Sequence, residues 1–218
     1  MKIVEPSFHI ISMPEEEQCL ALLEGAARTC YKSEDKIRPG SANALLARII
    51  RTGHESVLEH ASACVRIICD RGISHEIVRH RLCAFSQEST RYANYSQNKF
   101  GSEISVIRPF FWETDSGQYK LWQEAMLAAE KIYLELIKNG ASAQEARSVL
   151  PNSLKTELVM TANMREWRHV FKLRCAKVAH PQIRQIMLPL LAEMYRRVPL
   201  LFEDIYEQFK ESINTFHN

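Results

Sequence analysis

The chain has 218 residues and a formal net charge of +2, and 46% of its residues are apolar and 25% are charged. These values predict one soluble globular domain over residues 1–218. They also argue against two classes of protein, because the small charge does not suit a nucleic-acid-binding surface and no apolar run approaches the roughly 20 residues of a membrane span.

The first residues lack the long apolar region and small-residue cleavage site of a secretory signal. Six cysteines are scattered without C-x-x-C spacing, which is typical of reduced and mostly buried thiols. Together these features predict a cytoplasmic protein that binds neither membranes nor nucleic acids.

The N-terminal quarter of the chain begins with a loose alternation over residues 1–11, which predicts a strand. Pro14 and the three glutamates after it favour the start of a helix, since proline fits a first turn and acids suit the helix dipole. Ser41 is expected to cap a second helix, which Gly53 would end.

The next segment contains two apolar runs, residues 61–69 and 104–108, and each predicts a buried strand. Between them, helical spacing returns from Gly72 to about Leu82. Residues 84–96 are polar and are expected to form a loop.

The second half of the chain carries the clearest helix, with an apolar stripe from Trp122 to Ile137 that Gly140 ends. Ser142 and Glu145 form the pattern of a capping box.

The last segment adds a strand over residues 156–162 and a helix capped by Asn163. Residues from Pro181 onward are expected to be helical, with Pro189 and Pro199 kinking or breaking the helix. The whole pattern predicts a mixed α/β (α+β) domain with several helices and a modest, mainly antiparallel sheet.

The densest group of polar residues lies in residues 75–91, which hold three arginines, a histidine and several short polar side chains. Helical spacing would bring Glu76, Arg79 and His80 together. Guanidinium groups bind phosphate as rigid forks and hydroxyls complete the shell, so this group suits a nucleotide. A solvated helix face leading into a polar loop explains the same residues equally well.

A motif in this segment resembles the signature of the flavin-dependent thymidylate synthases, which is Arg-His-Arg, seven residues and then serine. Here it consists of Arg79-His80-Arg81 and Ser89. Three distant segments are also similar to elements of that family: His54 to His60, Ala146 to Pro151, and Asn163 to Arg174.

The resemblance implies two sets of binding residues. Those expected to face FAD are Ser56, Arg79, His80, Arg81, Gln87, Asn163, Arg165 and His169. Those expected to hold deoxyuridylate (dUMP) are Glu76, Arg79, Gln87, Glu88, Ser89, Arg91, Arg147 and Arg174. His54 matches an active-site position of the family, although a lone histidine before a turn is equally well explained as a structural group.

The resemblance also implies the reaction, which is reductive methylation of dUMP to dTMP. The carbon donor would be 5,10-methylenetetrahydrofolate, and NADPH or NADH would reduce the bound FAD. Arg174 would act as the catalytic group by stabilising negative charge at N3 of the uracil. No protein nucleophile is needed, so we expect Cys83 to be a packing residue. The family further implies a homotetramer with shared active sites.

Two other functions are compatible with parts of the sequence. His75-Glu76 begins like the zinc motif H-E-x-x-H, but Arg79 replaces the second histidine and His80 comes one position late. The mixture of arginine and tyrosine in residues 79–95 is also found in nucleic-acid-binding modules, although no basic stripe accompanies it. We therefore expect no metal site and no nucleic-acid partner.

Overall fold

The computed structural model describes residues 1–216, and its N-terminal segment forms two strands rather than one. Strand β1 covers Lys2–Val4 and strand β2 covers Ser7–Ser12. Pro6 lies between them and has no N–H to donate, which suits an interruption of strand pairing.

Helices α1 (Glu16–Thr29) and α2 (Ser41–Arg51) lie where the sequence predicts them. The cap of α2 was predicted wrongly, because Gly40 and not Ser41 precedes the helix. Gly40 has a φ of 79°, a conformation that suits glycine. The Ser41 hydroxyl instead donates to the Glu24 carboxylate of α1 at 2.7 Å.

Strand β3 (Ser62–Asp70) confirms the predicted strand, but the next two elements differ from the prediction. Helix α3 (Arg71–Ile77) ends five residues before Leu82, and strand β4 (Ala84–Gln87) occupies part of the predicted loop. Just beyond β4, the Glu88 N–H donates to the Glu157 carbonyl at 2.8 Å. Pairing with a distant strand therefore overrides the local polar pattern.

The middle of the chain contains strand β5 (Ser105–Ile107), helix α4 (Gly117–Lys138) and the short helix α5 (Ala143–Ala146). The apolar stripe of α4 is confirmed by its buried residues: Tyr119, Trp122, Met126 and Tyr133. The capping box is confirmed as well, since the Ser142 N–H donates to the Glu145 carboxylate at 2.8 Å.

The last elements are strand β6 (Lys155–Asn163) and helices α6 (Met164–Arg174), α7 (Pro181–Arg197) and α8 (Pro199–Phe216). The Asn163 side chain accepts from the Glu166 N–H at 2.8 Å, which confirms it as the cap of α6. Pro189 lies inside α7, and Pro199 begins α8.

The strands form two sheets. The larger is antiparallel, with the order β2-β3-β6-β4, and it confirms the predicted mixed fold. The smaller is a parallel pair of β1 and β5, which the sequence did not predict.

The chain divides into two compact units. Unit 1 comprises Met1–Ser7, Arg66–Arg79 and Phe85–Val159, and unit 2 comprises Phe8–Val65, His80–Ala84 and the chain from Met160 onward. The core of unit 1 lies against α4 and includes Tyr133 and Val106. In unit 2 the Phe171 ring contacts the Trp167 and Phe202 rings, and all three are buried.

Two further findings concern the cysteines and the helices. All six thiols are free; Cys19, Cys69 and Cys175 are buried, while Cys30 is exposed. Within the described residues, no helix combines the length and apolar character needed to cross a membrane.

Candidate active site

His80 is the buried centre of the polar cluster in unit 2, with 5% of its surface exposed. The Arg174 Nε–H donates to His80 Nε2 at 2.9 Å. Because Nε2 accepts this bond, the neutral imidazole carries its proton on Nδ1. Burial is the largest cause that lowers the pKa of His80, and together with the neighbouring Arg174 and His169 it brings that pKa to about 4. His80 is therefore a neutral group at physiological pH.

Helix α6 brings two more side chains to His80. Glu166 and His169 are three positions apart, so they share one face of the helix. Glu166 Oε1 lies 3.6 Å from His80 Nδ1, and the His169 ring lies 6.0 Å from the His80 ring between centroids. Glu166 is buried and His169 is exposed.

A cavity of about 520 Å³ opens beside this cluster within unit 2. Its lining carries carboxylates, cations and amide or imidazole groups, so it offers both hydrogen-bond donors and acceptors. The lining residues are Glu55, Glu59, Leu82, Asn163, Arg165, Glu166, His169 and Lys172.

The two arginines of α6 differ in what they can bind. Arg168 is buried, and its guanidinium pairs with Glu55 at 3.0 Å and Asp204 at 2.8 Å, so its role is structural. Arg165 is half exposed on the cavity wall and pairs with Glu59 at 2.5 Å. Since an exposed ion pair is weak, Arg165 can exchange this partner for an anionic ligand.

Cys83 lies beside the cluster, with its Sγ 3.9 Å from Glu166 Oε1. Burial is the largest cause that raises the pKa of the Cys83 thiol, and together with the Glu166 carboxylate it brings that pKa to about 12. A thiol with this pKa stays protonated and does not act as a nucleophile at neutral pH. The environment agrees with the prediction that Cys83 is a packing residue.

Ligand atoms of His80, Glu166 and His169 lie within 4.8 Å of one another, a spacing that could also hold a metal ion. Two features oppose this use. Arg174 places the His80 proton on Nδ1, the nitrogen that faces Glu166, whereas a metal needs that lone pair. The guanidinium also brings a positive charge next to the site.

His54 and Ser56 line a different cavity of unit 2, of about 440 Å³. His54 precedes the 3₁₀ helix Glu55–His60, and its side chain is exposed, as is that of Ser56. The structure therefore does not bring Ser56 into the cavity that contains Asn163, Arg165 and His169. Arg81 is also in unit 2 and is exposed.

Within unit 1, Gln87, Glu88 and Ser89 line a cavity of about 590 Å³. The Gln87 amide is fixed, since its Nε2 donates to the Ser74 hydroxyl at 2.9 Å and the Thr156 hydroxyl at 3.2 Å.

The Glu88 carboxylate is bound on both sides, by Lys155 Nζ at 3.0 Å and the Tyr95 hydroxyl at 3.1 Å. These partners leave Glu88 less available to a ligand than Ser89, which is partly exposed.

Arg91 and Arg147 are tied to neighbouring parts of unit 1. Arg91 Nε donates to Gln144 Oε1 at 3.1 Å, and Arg147 Nη1 reaches the Thr90 hydroxyl at 3.5 Å. Both side chains are exposed, so their remaining N–H groups can reach an anion.

Glu76 and Arg79 lie at the end of α3 in unit 1. The Arg79 N–H donates to the Glu76 carbonyl at 3.3 Å, and the Arg79 side chain is exposed. Arg79 lies two residues beyond the end of α3 at Ile77, so the predicted helical spacing does not continue from Glu76 to Arg79.

Sequence reasoning missed three residues of these sites. Glu166 lies in the segment Asn163 to Arg174 but was not singled out, although its position three residues before His169 was a usable signal. Lys155 and Tyr95 gave no signal, since their contacts with Glu88 join segments that are distant in the sequence.

Comparison with known proteins identifies the family. The family model described as thymidylate synthase complementing protein matches residues 12–200. A Geobacter sulfurreducens protein named flavin-dependent thymidylate synthase is 34% identical over 198 residues, covering 88% of this chain and 82% of the relative. A protein of the same name from Pyrococcus abyssi is 35% identical over 170 residues, covering 78% and 69%.

Solved structures show the same fold. The structure of a UMP/dUMP methylase from Streptomyces cacaoi, bound with 5-Br dUMP, matches with a TM-score of 0.77 and 23% identity, covering 96% of this chain and 98% of that one. The sequence matches define an enzyme of the methyltransferase class. The chain belongs to the flavin-dependent thymidylate synthase family.

Proposed function

We propose that this chain is an FAD-dependent thymidylate synthase that converts dUMP to dTMP. The carbon donor would be 5,10-methylenetetrahydrofolate, and NADPH or NADH would be the reductant. Family membership supports the reaction, as do the names of the relatives and the dUMP analogue bound to the Streptomyces methylase. The observation that carries the proposal is the contact between Arg174 and the buried, neutral His80.

The cavity of unit 2 has the donor chemistry that FAD requires. Arg165 and Lys172 supply cations for a diphosphate, while Asn163 and His169 supply hydrogen-bonding groups. We assign these residues, with His80, to FAD binding; once bound, FAD would supply the hydride chemistry.

The residues of unit 1 suit the phosphate and sugar of dUMP. Arg91 and Arg147 have exposed guanidinium groups, and the Ser89 hydroxyl lies on the cavity that Gln87 also lines. Arg174 is assigned to the pyrimidine, where its cation would stabilise negative charge at N3. This mechanism uses no protein thiolate, which agrees with the raised pKa of Cys83.

The test combines absorbance with activity. The purified protein should show flavin bands, or acquire them with added FAD, and should form dTMP from dUMP with the folate and NADPH. Arg174→Ala should keep the flavin bands but lower the rate by about 10²–10³-fold, as loss of a charge-stabilising group does. A colourless protein that shows no FAD binding by calorimetry would contradict the proposal.

We also propose a cytoplasmic homotetramer with active sites shared between subunits. Helix α4 carries a second apolar stripe on its exposed side, formed by Leu121, Ala125, Ala128 and Ile132. The spacing of four, three and four residues is that of a helix-packing seam. Leu121 is 68% exposed and Ile132 is 46% exposed, so the stripe is suited to pack against another copy of the chain.

Light scattering tests the assembly and should give a mass of four chains. The double variant Leu121→Glu, Ile132→Glu should have a lower mass. The control Leu127→Glu changes an exposed residue outside the stripe and should keep the mass of four chains. Mixing Arg79→Ala with Arg174→Ala should restore some activity if the two arginines serve one site from different chains. A monomeric mass for the wild-type protein would refute the tetramer.

A further inference from the structure

His80 lies between two side chains of unit 2, one at each of its ring nitrogens. Glu166 Oε1 lies 3.6 Å from His80 Nδ1, and Arg174 Nε lies 2.9 Å from His80 Nε2. Glu166 is 6% exposed and His80 is 5% exposed, so both lie where electrostatic interactions are little screened by water.

We infer that Glu166 is a positioning residue, which holds His80 as the Nδ1–H tautomer and thereby holds the Arg174 guanidinium by its Nε–H. This inference rests on the proposed function for the role of Arg174 in catalysis. Glu166 is not among the residues expected to bind FAD or dUMP, so the inference adds one residue to the site.

The reason lies in the two tautomers of a neutral imidazole. With the proton on Nδ1, the ring faces the carboxylate with a positive N–H and faces Arg174 with a lone pair. With the proton on Nε2, two N–H groups would oppose each other across the 2.9 Å contact with Arg174. The 3.6 Å separation is longer than a hydrogen bond, so Glu166 acts mainly through its charge.

Glu166 is itself held in place by its surroundings. It lies in the first turn of α6, where the Asn163 side chain accepts from its N–H at 2.8 Å, and Cys83 Sγ lies 3.9 Å from its carboxylate. His169, the other titratable group close to His80, lies on the same helix face and is exposed. Arg174 is the cation at the opposite ring nitrogen of His80.

The first test reads the tautomer directly and does not depend on activity. NMR of the full chain with ¹⁵N-labelled histidine should show the His80 proton on Nδ1, with the signal assigned by its loss in His80→Gln. Glu166→Gln, which keeps the shape and removes the charge, should increase the fraction with the proton on Nε2. Glu59→Gln makes the same change on the wall of the same cavity and should leave the His80 signal unchanged.

The second test connects the tautomer to Arg174. Glu166→Gln should lower kcat by about 10-fold or more with a smaller change in KM for dUMP, short of the roughly 10²–10³-fold loss expected for Arg174→Ala. In the Arg174→Ala background the Glu166 change should have little further effect, because both act through one contact.

Either of two results would overturn the inference: a wild-type His80 proton on Nε2, or a tautomer that Glu166→Gln leaves unchanged. The first of these is measured without any change at Glu166, so it stands even if Glu166→Gln fails to fold. A tautomer that behaves as expected in a protein that forms no dTMP would refute the proposed function and leave the positioning of His80 and Arg174 by Glu166 supported.

Discussion

Acidification should destabilise the protein through His80. The folded protein holds the pKa of His80 at about 4, below the ordinary value of 6.5, so as the pH falls the unfolded chain takes up this proton first. The contribution of His80 to the free energy of unfolding is therefore fully present above about pH 6.5 and is lost as the pH falls toward 4. A shift of this size corresponds to about 3 kcal/mol in total, of which about 2 kcal/mol is already lost at pH 5.

Urea unfolding of the flavin-free chain between pH 8 and pH 4.5 measures this loss. Other groups titrate in the same range, so the informative quantity is the difference in pH dependence between the wild-type protein and His80→Gln. That variant should lack the contribution of about 2 kcal/mol at pH 5, whatever its stability at pH 8. His60→Gln, which removes an exposed histidine of the same unit, controls for loss of an imidazole from the surface. Parallel curves for the wild-type protein and His80→Gln would refute the reasoning.

Three further predictions concern single side chains. Cys83→Ser should keep most of the activity, because the thiol is protonated, and an inactive, folded variant would require a thiolate mechanism. Arg168→Met should lower the free energy of unfolding by about 3 kcal/mol, because it leaves the mostly buried Glu55 carboxylate unpaired, whereas the half-exposed Asp204 stays solvated. The control is Arg196→Met, which removes an exposed arginine and should lower the free energy of unfolding by less than about 1 kcal/mol in the same denaturation assay. Equal losses for the two variants would contradict the structural role assigned to Arg168. Ser142→Ala should cost about 1 kcal/mol by removing one half of the capping box, and an unchanged denaturation midpoint would argue against that cap.

The family was predictable because its signature is local. Arg79-His80-Arg81 and Ser89 lie within 11 positions, and the family comparison confirms what they indicate. No comparison tests the individual site residues, so the FAD and dUMP sets remain predictions. The structure does not bring all the residues expected to bind FAD together, since Ser56 and Asn163 line different cavities.

The sequence by itself determined the elements whose signals are local. The cap of α6 at Asn163 and the capping box at Ser142 need only residues three positions apart, and the buried stripe of α4 needs only helical periodicity. These features were correct because the interactions that form them close within one or a few turns.

Tertiary structure decided the features that depend on distant parts of the chain. Strand β4 forms in a polar segment next to the backbone contact between Glu88 and Glu157, and α3 ends before the signature motif. The His80 tautomer depends on Arg174, which is 94 positions away. No local propensity encodes such a contact, because its free energy comes from packing that exists only after the chain has folded.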